Sequence, residues 1–189
     1  MRRNRLAGYL VLVVGSLVIG GGLVGFFLKK HQVDSRDRAV EEVRDLGGSV
    51  MYGYEFQGPL LPGPEWGRAL LGDNAFAKVE FISFDKHSQV RDHQLIVLDS
   101  FDHLKEVNLD APNLTDRALE YVKSPCSIEF LSIARIELTD ITLERLKAFR
   151  NLRRLTIDDA TPGELELRVL SVLPPNCSIG RALVGWTGY

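Results

Sequence analysis

Three of the four histidines lie close together in the sequence beside aspartates, a combination that can bind a metal ion. They are His87, His93 and His103, with Asp85 and Asp92 next to them. Metal ligands must converge on one point. In a repeating order of strand, turn and helix, the first histidine follows a strand, the second opens a helix and the third precedes the next strand. Their side chains are then expected to lie apart, and the sequence predicts no metal site.

The sequence contains none of the short motifs that mark common active sites: no Walker loop, no G-x-S-x-G, no H-E-x-x-H and no C-x-x-C. Asp158 and Asp159 lie near Glu164 and Glu166, and such a group can supply paired carboxylates for acid–base catalysis. No apolar surroundings that would raise one of their pKa values are evident. We interpret them as a solvated acidic edge, and we predict that the protein is not an enzyme and uses no cofactor.

The charge of the chain is strongly divided along its length. Residues 32–189 hold all 25 acidic residues and 18 of the 23 basic residues, a net charge of −7. A negatively charged domain repels the phosphate backbone. We therefore expect no nucleic-acid partner.

An uncharged segment near the N-terminus indicates where the protein is located. Residues 6–28 form a run of 23 without a charge. As a helix this run is about 34 Å long, enough to cross a hydrocarbon layer of ~30 Å. A cleaved signal peptide, the competing interpretation, has a shorter apolar region that ends in small residues, whereas this run ends in Phe26-Phe27-Leu28. We predict a retained single-pass anchor in the lipid bilayer, preceded by a short tail, 1–5.

Small residues inside the predicted anchor are spaced as in packed membrane helices. Gly21 and Gly25 form a G-x-x-x-G pair, and Ser16 and Gly20 form a second pair of small residues. Such pairs let two membrane helices approach closely, although glycine is also frequent in membrane helices generally. A homodimer formed through the anchor is therefore one interpretation.

The side of the membrane on which the soluble part lies has one weak indication in the sequence. Three arginines precede the anchor, and five basic residues follow it within about 20 residues. This distribution favours a cytoplasmic soluble part.

Residues 29–79 follow the anchor and are not repetitive. Val33, Val40 and Val43 recur at helical spacing, with Asp34 or Ser35 available as the N-cap. Gly47-Gly48 is expected to end this helix. The alternation of apolar residues over 50–56 predicts a strand, and Glu65 to Leu71 a short helix that begins after Pro64 and stops at Gly72. We expect this segment to cap one end of the repeats that follow.

The rest of the chain repeats with a period near 24 residues, which predicts a stack of similar units. The matched positions are Val107, Leu131 and Leu155; Leu109, Ile133 and Ile157; Leu95, Leu119, Leu143 and Leu167; and Leu98, Val122, Leu146 and Leu170. The predicted units are Glu80–Leu104, Lys105–Ile128, Glu129–Leu152 and Arg153–Ile179, followed by a tail, 180–189. Each is expected to begin with a strand that has two inward residues, followed in units one to three by a turn and a helix, and the threonine of the turn in units two and three is expected to cap that helix. Unit four departs from the pattern, because Thr161-Pro162-Gly163 replaces the turn.

This pattern resembles the leucine-rich repeat. The resemblance covers 80–179 and is clearest in units two and three, where Leu-Thr-Asp follows the strand at 114–116 and 138–140. The usual asparagine or cysteine ladder is absent. The order of anchor, short helix, aromatic strand and few repeats is similar to small membrane-anchored bacterial repeat proteins. The resemblance implies an α/β fold, a short right-handed solenoid with a parallel sheet on its concave face, and leans towards an extracytoplasmic location.

The strand residues that alternate with the inward ones are expected to face solvent on the concave face. They are Phe81, Ser83, Glu106, Asn108, Phe130, Ser132, Arg154 and Thr156. An exposed Phe130 between Glu106 and Arg154 suits a protein partner, because aromatic residues dominate interface hot spots. An ordinary solvated surface is the alternative. We predict a membrane-tethered interaction or scaffold module, with a structural envelope or assembly protein that has no dedicated ligand as the alternative.

Cys126 and Cys177 each precede, by two residues, the isoleucine that closes a predicted unit. They are then equivalent positions two repeats apart, which is about 10 Å, whereas bridged cysteines need Cα atoms within ~7 Å. We predict two free, buried thiols.

Overall fold

The computed structural model describes residues 3–58, 60–133, 135–158 and 163–182, with side chains from Val24 onward except those of residues 57, 158 and 182. The chain divides into two compact units, Met1–Asp37 and Arg38–Tyr189, and each is described by itself.

One helix, α1, runs from Arg3 to Asp45. The expected N-cap at Asp34 or Ser35 is wrong, because the helix continues through both residues. The end is as predicted: Gly47 has a φ of +79°, a conformation that glycine adopts without steric cost, and the amide of Gly48 donates to the carbonyl of Val43.

The predicted anchor, 6–28, lies mainly outside the described side chains, and so do Ser16, Gly20 and Gly21. Among the residues whose side chains are described, from Val24 onward, no helix combines the length and apolar character needed to cross a bilayer. Gly25 is described, and no atom lies within 4 Å of the place where a Cβ would be. The anchor and the dimer through it stay predictions.

The second unit is an α/β structure built on a six-stranded, mostly parallel sheet with the strand order β1-β2-β3-β4-β5-β6. The strands are β1 (Ser49–Tyr52), β2 (Val79–Phe84), β3 (Glu106–Leu109), β4 (Phe130–Ser132), β5 (Arg154–Asp158) and β6 (Ser178–Ala182). Only β1 is antiparallel to its neighbour. The paired residues Ile82, Val107, Leu131, Leu155 and Ile179 are 25, 24, 24 and 24 residues apart, so each crossover is one repeat long.

One face of the sheet supplies the core, as the alternation of the strands predicts. All eight predicted inward residues are at most 2% exposed. They are Ile82, Phe84, Val107, Leu109, Leu131, Ile133, Leu155 and Ile157. The crossovers bury Leu95, Leu98, Leu119, Leu143 and Leu146 against them, in the predicted registers.

The crossovers are less helical than predicted. The first two contain 3₁₀ helices, at Asp92–Ser100, Ala118–Tyr121 and Pro125–Ser127, and the third contains the α-helix α4, Asp140–Leu146. A 3₁₀ helix advances ~2.0 Å per residue instead of ~1.5 Å, so it spans the return path to the next strand with fewer residues.

The segment before the repeats forms the antiparallel edge of the sheet. The expected strand over 50–56 is only partly right, because β1 stops at Tyr52 and the short helix α2, Gly53–Gln57, follows. The carboxylate of Glu55 accepts the amide proton of Tyr52 at 2.7 Å, which favours a helix start at this point. The second helix, α3, spans Glu65–Leu71 and ends at Gly72, as predicted.

The last repeat departs from the predicted register. Helix α5, Gly163–Val172, buries Val169 and leaves Leu167 and Leu170 68% and 45% exposed, so their assignment to the inward register is wrong. Strand β6 continues the 24-residue step, with Ile179 paired to Leu155. Ile179 therefore opens a fifth parallel strand and does not close the fourth unit.

The same register corrects the prediction about the cysteines. Ser178 pairs with Arg154, so Cys177 is equivalent to Arg153 and not to Cys126. Both cysteines are free, as predicted, but the expectation that they are buried is wrong: Cys126 is exposed and Cys177 is half-buried. Partial burial raises the pKa of the Cys177 thiol.

Candidate functional site

The face of the sheet opposite the core, here called the outer face, carries all eight residues predicted to face a partner. Strand pairing arranges them in two rows across β2 to β5. Row one holds Phe81, Glu106, Phe130 and Arg154, and row two holds Ser83, Asn108, Ser132 and Thr156. Strand β6 extends the rows with Ser178 and Gly180.

Row one alternates aromatic and charged side chains. Phe81 and Phe130 are each paired in register with Glu106, which lies on the strand between them, and Arg154 follows Phe130. The charged residues of this row are exposed, whereas the two aromatic rings are half-buried. The expectation of an exposed Phe130 is therefore wrong.

The environment of Glu106 differs from that of an ordinary surface carboxylate. Loss of water around its carboxyl group raises the pKa, and the positive charge of Arg154 opposes this shift in part. Glu106 makes no ion pair with a described residue, whereas nearby Glu80 and Glu129 each have a base at 3.0 Å.

Row two is small and polar. The side-chain amide of Asn108 donates to the hydroxyl oxygen of Ser83 at 3.0 Å. The carbonyl oxygen of the same amide is buried and accepts no hydrogen bond within the described part of the chain. A bound molecule can satisfy this acceptor only if the Asn108 side chain rotates, because the oxygen is buried in the present arrangement.

A third row, at the start of the strands, was not recognised in the sequence. Glu80, Lys105, Glu129 and Arg153 alternate in charge, and their main chains are hydrogen-bonded in series. Lys105 lies 3.0 Å from Glu80, and Arg153 lies 3.0 Å from Glu129. The sequence does contain this pattern, because these four residues are the first residues of the four predicted units and their charges alternate between negative and positive.

The turns of neighbouring repeats are joined by a ladder of side chains. Asp92 accepts the hydroxyl proton of Thr115 at 2.6 Å, and Asp116 accepts that of Thr139 at 2.8 Å. The prediction that threonine caps its own helix is wrong at Thr139, which is the N-cap of α4 but makes no side-chain capping bond. The aspartate of one repeat therefore binds the threonine of the next.

The other chemical groups stay apart. No three His, Cys, Asp or Glu side chains among the described residues are arranged to hold a metal ion. Asp110, at the end of β3, is paired with Arg135 at 2.7 Å. Asp159 and the side chain of Asp158 lie outside the description.

No protein-family model and no curated protein matches the chain.

Proposed function

We propose that the chain is a leucine-rich-repeat protein that binds a protein partner on the outer face of its sheet, close to a membrane to which residues 6–28 tether it. The outer face is then the concave face of a short right-handed solenoid, capped at one end by the segment 29–79. Row one carries this proposal, because it holds two aromatic residues and an arginine, which are enriched at protein interfaces.

The size of the outer face indicates the form of the partner. Five parallel strands spaced ~4.8 Å apart are about 19 Å wide, and two rows span about 7 Å along the strands. This area is far below the ~800 Å² that a standard interface buries on each side. The rows therefore fit an extended segment of about six residues, at ~3.3 Å per residue, better than a flat protein surface.

Crosslinking in the native membrane tests the proposal, with wild type compared with Phe130→Asp. A carboxylate at this position breaks the aromatic row, and one defined crosslinked partner is expected to decrease at least tenfold. Ile141→Asp is the matched control, because Ile141 is an exposed apolar residue on α4, away from the outer face. The control is expected to leave the partner unchanged.

The proposal is contradicted if the crosslinks are identical in wild type and Phe130→Asp and join only copies of this chain. This result favours the alternative function, a structural assembly protein without a dedicated ligand. Melting curves of both variants in detergent show whether a lost crosslink reflects binding or unfolding. Resistance to alkaline extraction tests the membrane anchor independently.

A further inference from the structure

We infer that the outer face binds a lysine or arginine side chain of its partner, with the cation on the Glu106 carboxylate between the rings of Phe81 and Phe130. This inference rests on the proposed function and names the chemistry that the partner must supply.

The strand register creates the place for a cation. Phe81, Glu106 and Phe130 occupy the same level on three adjacent strands. With strands ~4.8 Å apart, the stems of the two aromatic side chains are about 10 Å apart, with the acid midway. A cation placed on the acid is then within the ~6 Å of each ring centroid at which aromatic faces attract positive charge.

No basic residue among the described residues forms an ion pair with Glu106. Lys105 pairs with Glu80, Arg153 with Glu129 and Arg135 with Asp110, at 3.0, 3.0 and 2.7 Å. The charge of Arg154 acts on Glu106, but the two side chains form no ion pair in the described structure. Lys105, Arg153 and Arg135 are thus committed to other acids, and no described base is in direct contact with Glu106, so a cation from the partner can take that place.

Row two is compatible with the same kind of partner. Asn108 follows Glu106 by two residues on β3, so both side chains are on the outer face about 7 Å apart. The carbonyl oxygen of its amide is buried and takes no hydrogen bond from a described residue, so it can accept one from a bound segment only after the side chain rotates. An acidic segment is repelled by Glu106.

An arrayed library of random hexapeptides tests the inference, probed with the full-length protein in lipid nanodiscs. Peptides retained by wild type are expected to be enriched in lysine or arginine. Glu106→Gln is expected to weaken the affinity for the tightest-binding peptide at least tenfold. Replacement of the arginine of that peptide by citrulline, a neutral isostere, is expected to weaken binding to wild type by the same factor. Glu106→Asp keeps the charge and is expected to retain the preference.

Glu144→Gln is the matched control, since it removes one exposed acid of α4 and is expected to change nothing. Two results would contradict this inference and leave the proposed function standing, provided that Phe130→Asp still abolishes binding. In the first, the retained peptides contain no basic residue. In the second, the preference for basic residues survives Glu106→Gln. If no peptide is retained, or none is sensitive to Phe130→Asp, the result counts against both this inference and the proposed function.

Discussion

At the scale of single residues, Glu106 shows how position on a sheet changes the chemistry of a common side chain. Its sequence neighbours, Lys105 and Val107, give no sign of an aromatic environment. The two rings come from residues 25 positions before and 24 positions after it, through the strand register. Its properties therefore follow from the repeat length and not from local composition.

The raised pKa of Glu106 makes a prediction about stability and pH. An acid with a higher pKa in the folded state binds its proton more tightly there, so its ionisation at neutral pH disfavours folding. Glu106→Gln is therefore expected to have a higher melting temperature than wild type at pH 7, and the difference is expected to shrink as the pH falls towards 4. Melting temperatures of both proteins across this range measure the effect.

Glu144→Gln serves as the comparison for this series, because Glu144 pairs with Lys147 on the surface. A melting temperature of Glu106→Gln that is equal to or below that of wild type at pH 7 contradicts the assigned environment.

At the scale of elements, the junction of α1 and β1 depends on close packing at a glycine. A Cβ at Gly48 would lie 2.6 Å from the Phe84 ring and 2.8 Å from Val43, both of which are fully buried. Gly48→Ala is therefore expected to destabilise the fold by about 1–3 kcal/mol, because a well-packed core accepts no added methyl group without displacement. Urea unfolding measures the change.

Gly163→Ala is the control at the start of α5, where no atom lies within 4 Å of the new Cβ. Alanine there is expected to be neutral or to stabilise by up to ~1 kcal/mol. Equal effects of the two substitutions would show that Gly48 is not packed against Phe84 in solution.

The elements also show what the sequence could and could not predict. The inward strand residues are predicted by the alternation of apolar residues and by the 24-residue repeat. Helix α3 is predicted by the proline before it and the glycine after it. These are local signals in the sequence. Strand β6 does not follow from the predicted units, in which Ile179 closes the fourth unit. Leu167 and Leu170 match the 24-residue register in the sequence, but both are exposed. Helix α5 is longer than α4, and the residue that it buries in the core is Val169.

On the outer face, the sequence predicted which side chains share a surface, because alternation along a strand fixes the face. It did not predict the hydrogen bond between Asn108 and Ser83 or the half-burial of Phe130. These depend on rotamers and on the reach of side chains across strands, which spacing alone does not determine.

At the scale of the whole molecule, the alternating charges at the strand starts connect four strands. Lys105→Glu places three acids side by side, and like charges on adjacent strands repel. This variant is expected to lose about 0.5–1 kcal/mol at low salt and to recover much of it in 1 M salt, since exposed charges are screened. Unfolding free energies at two salt concentrations measure this.

Reversing all four charges, with Glu80→Lys, Lys105→Glu, Glu129→Lys and Arg153→Glu, restores alternation and is expected to restore most of the stability. Lys86→Glu, at an exposed position outside the row, gives the same charge change as Lys105→Glu and is expected to have little effect. Equal losses in Lys86→Glu and Lys105→Glu would mean that net charge, and not alternation, controls stability.

The row of alternating charges also limits how this chain can lengthen or shorten during evolution. Glu80 resembles Glu129, Phe81 resembles Phe130, and Lys105 resembles Arg153, each pair two repeats apart. Loss of residues 105–128 would bring Glu80 against Glu129, whereas loss of 105–152 would bring Glu80 against Arg153. Although one strand and crossover is the structural repeat, about 48 residues is the chemical one, so a change by an even number of repeats keeps the alternation of charge.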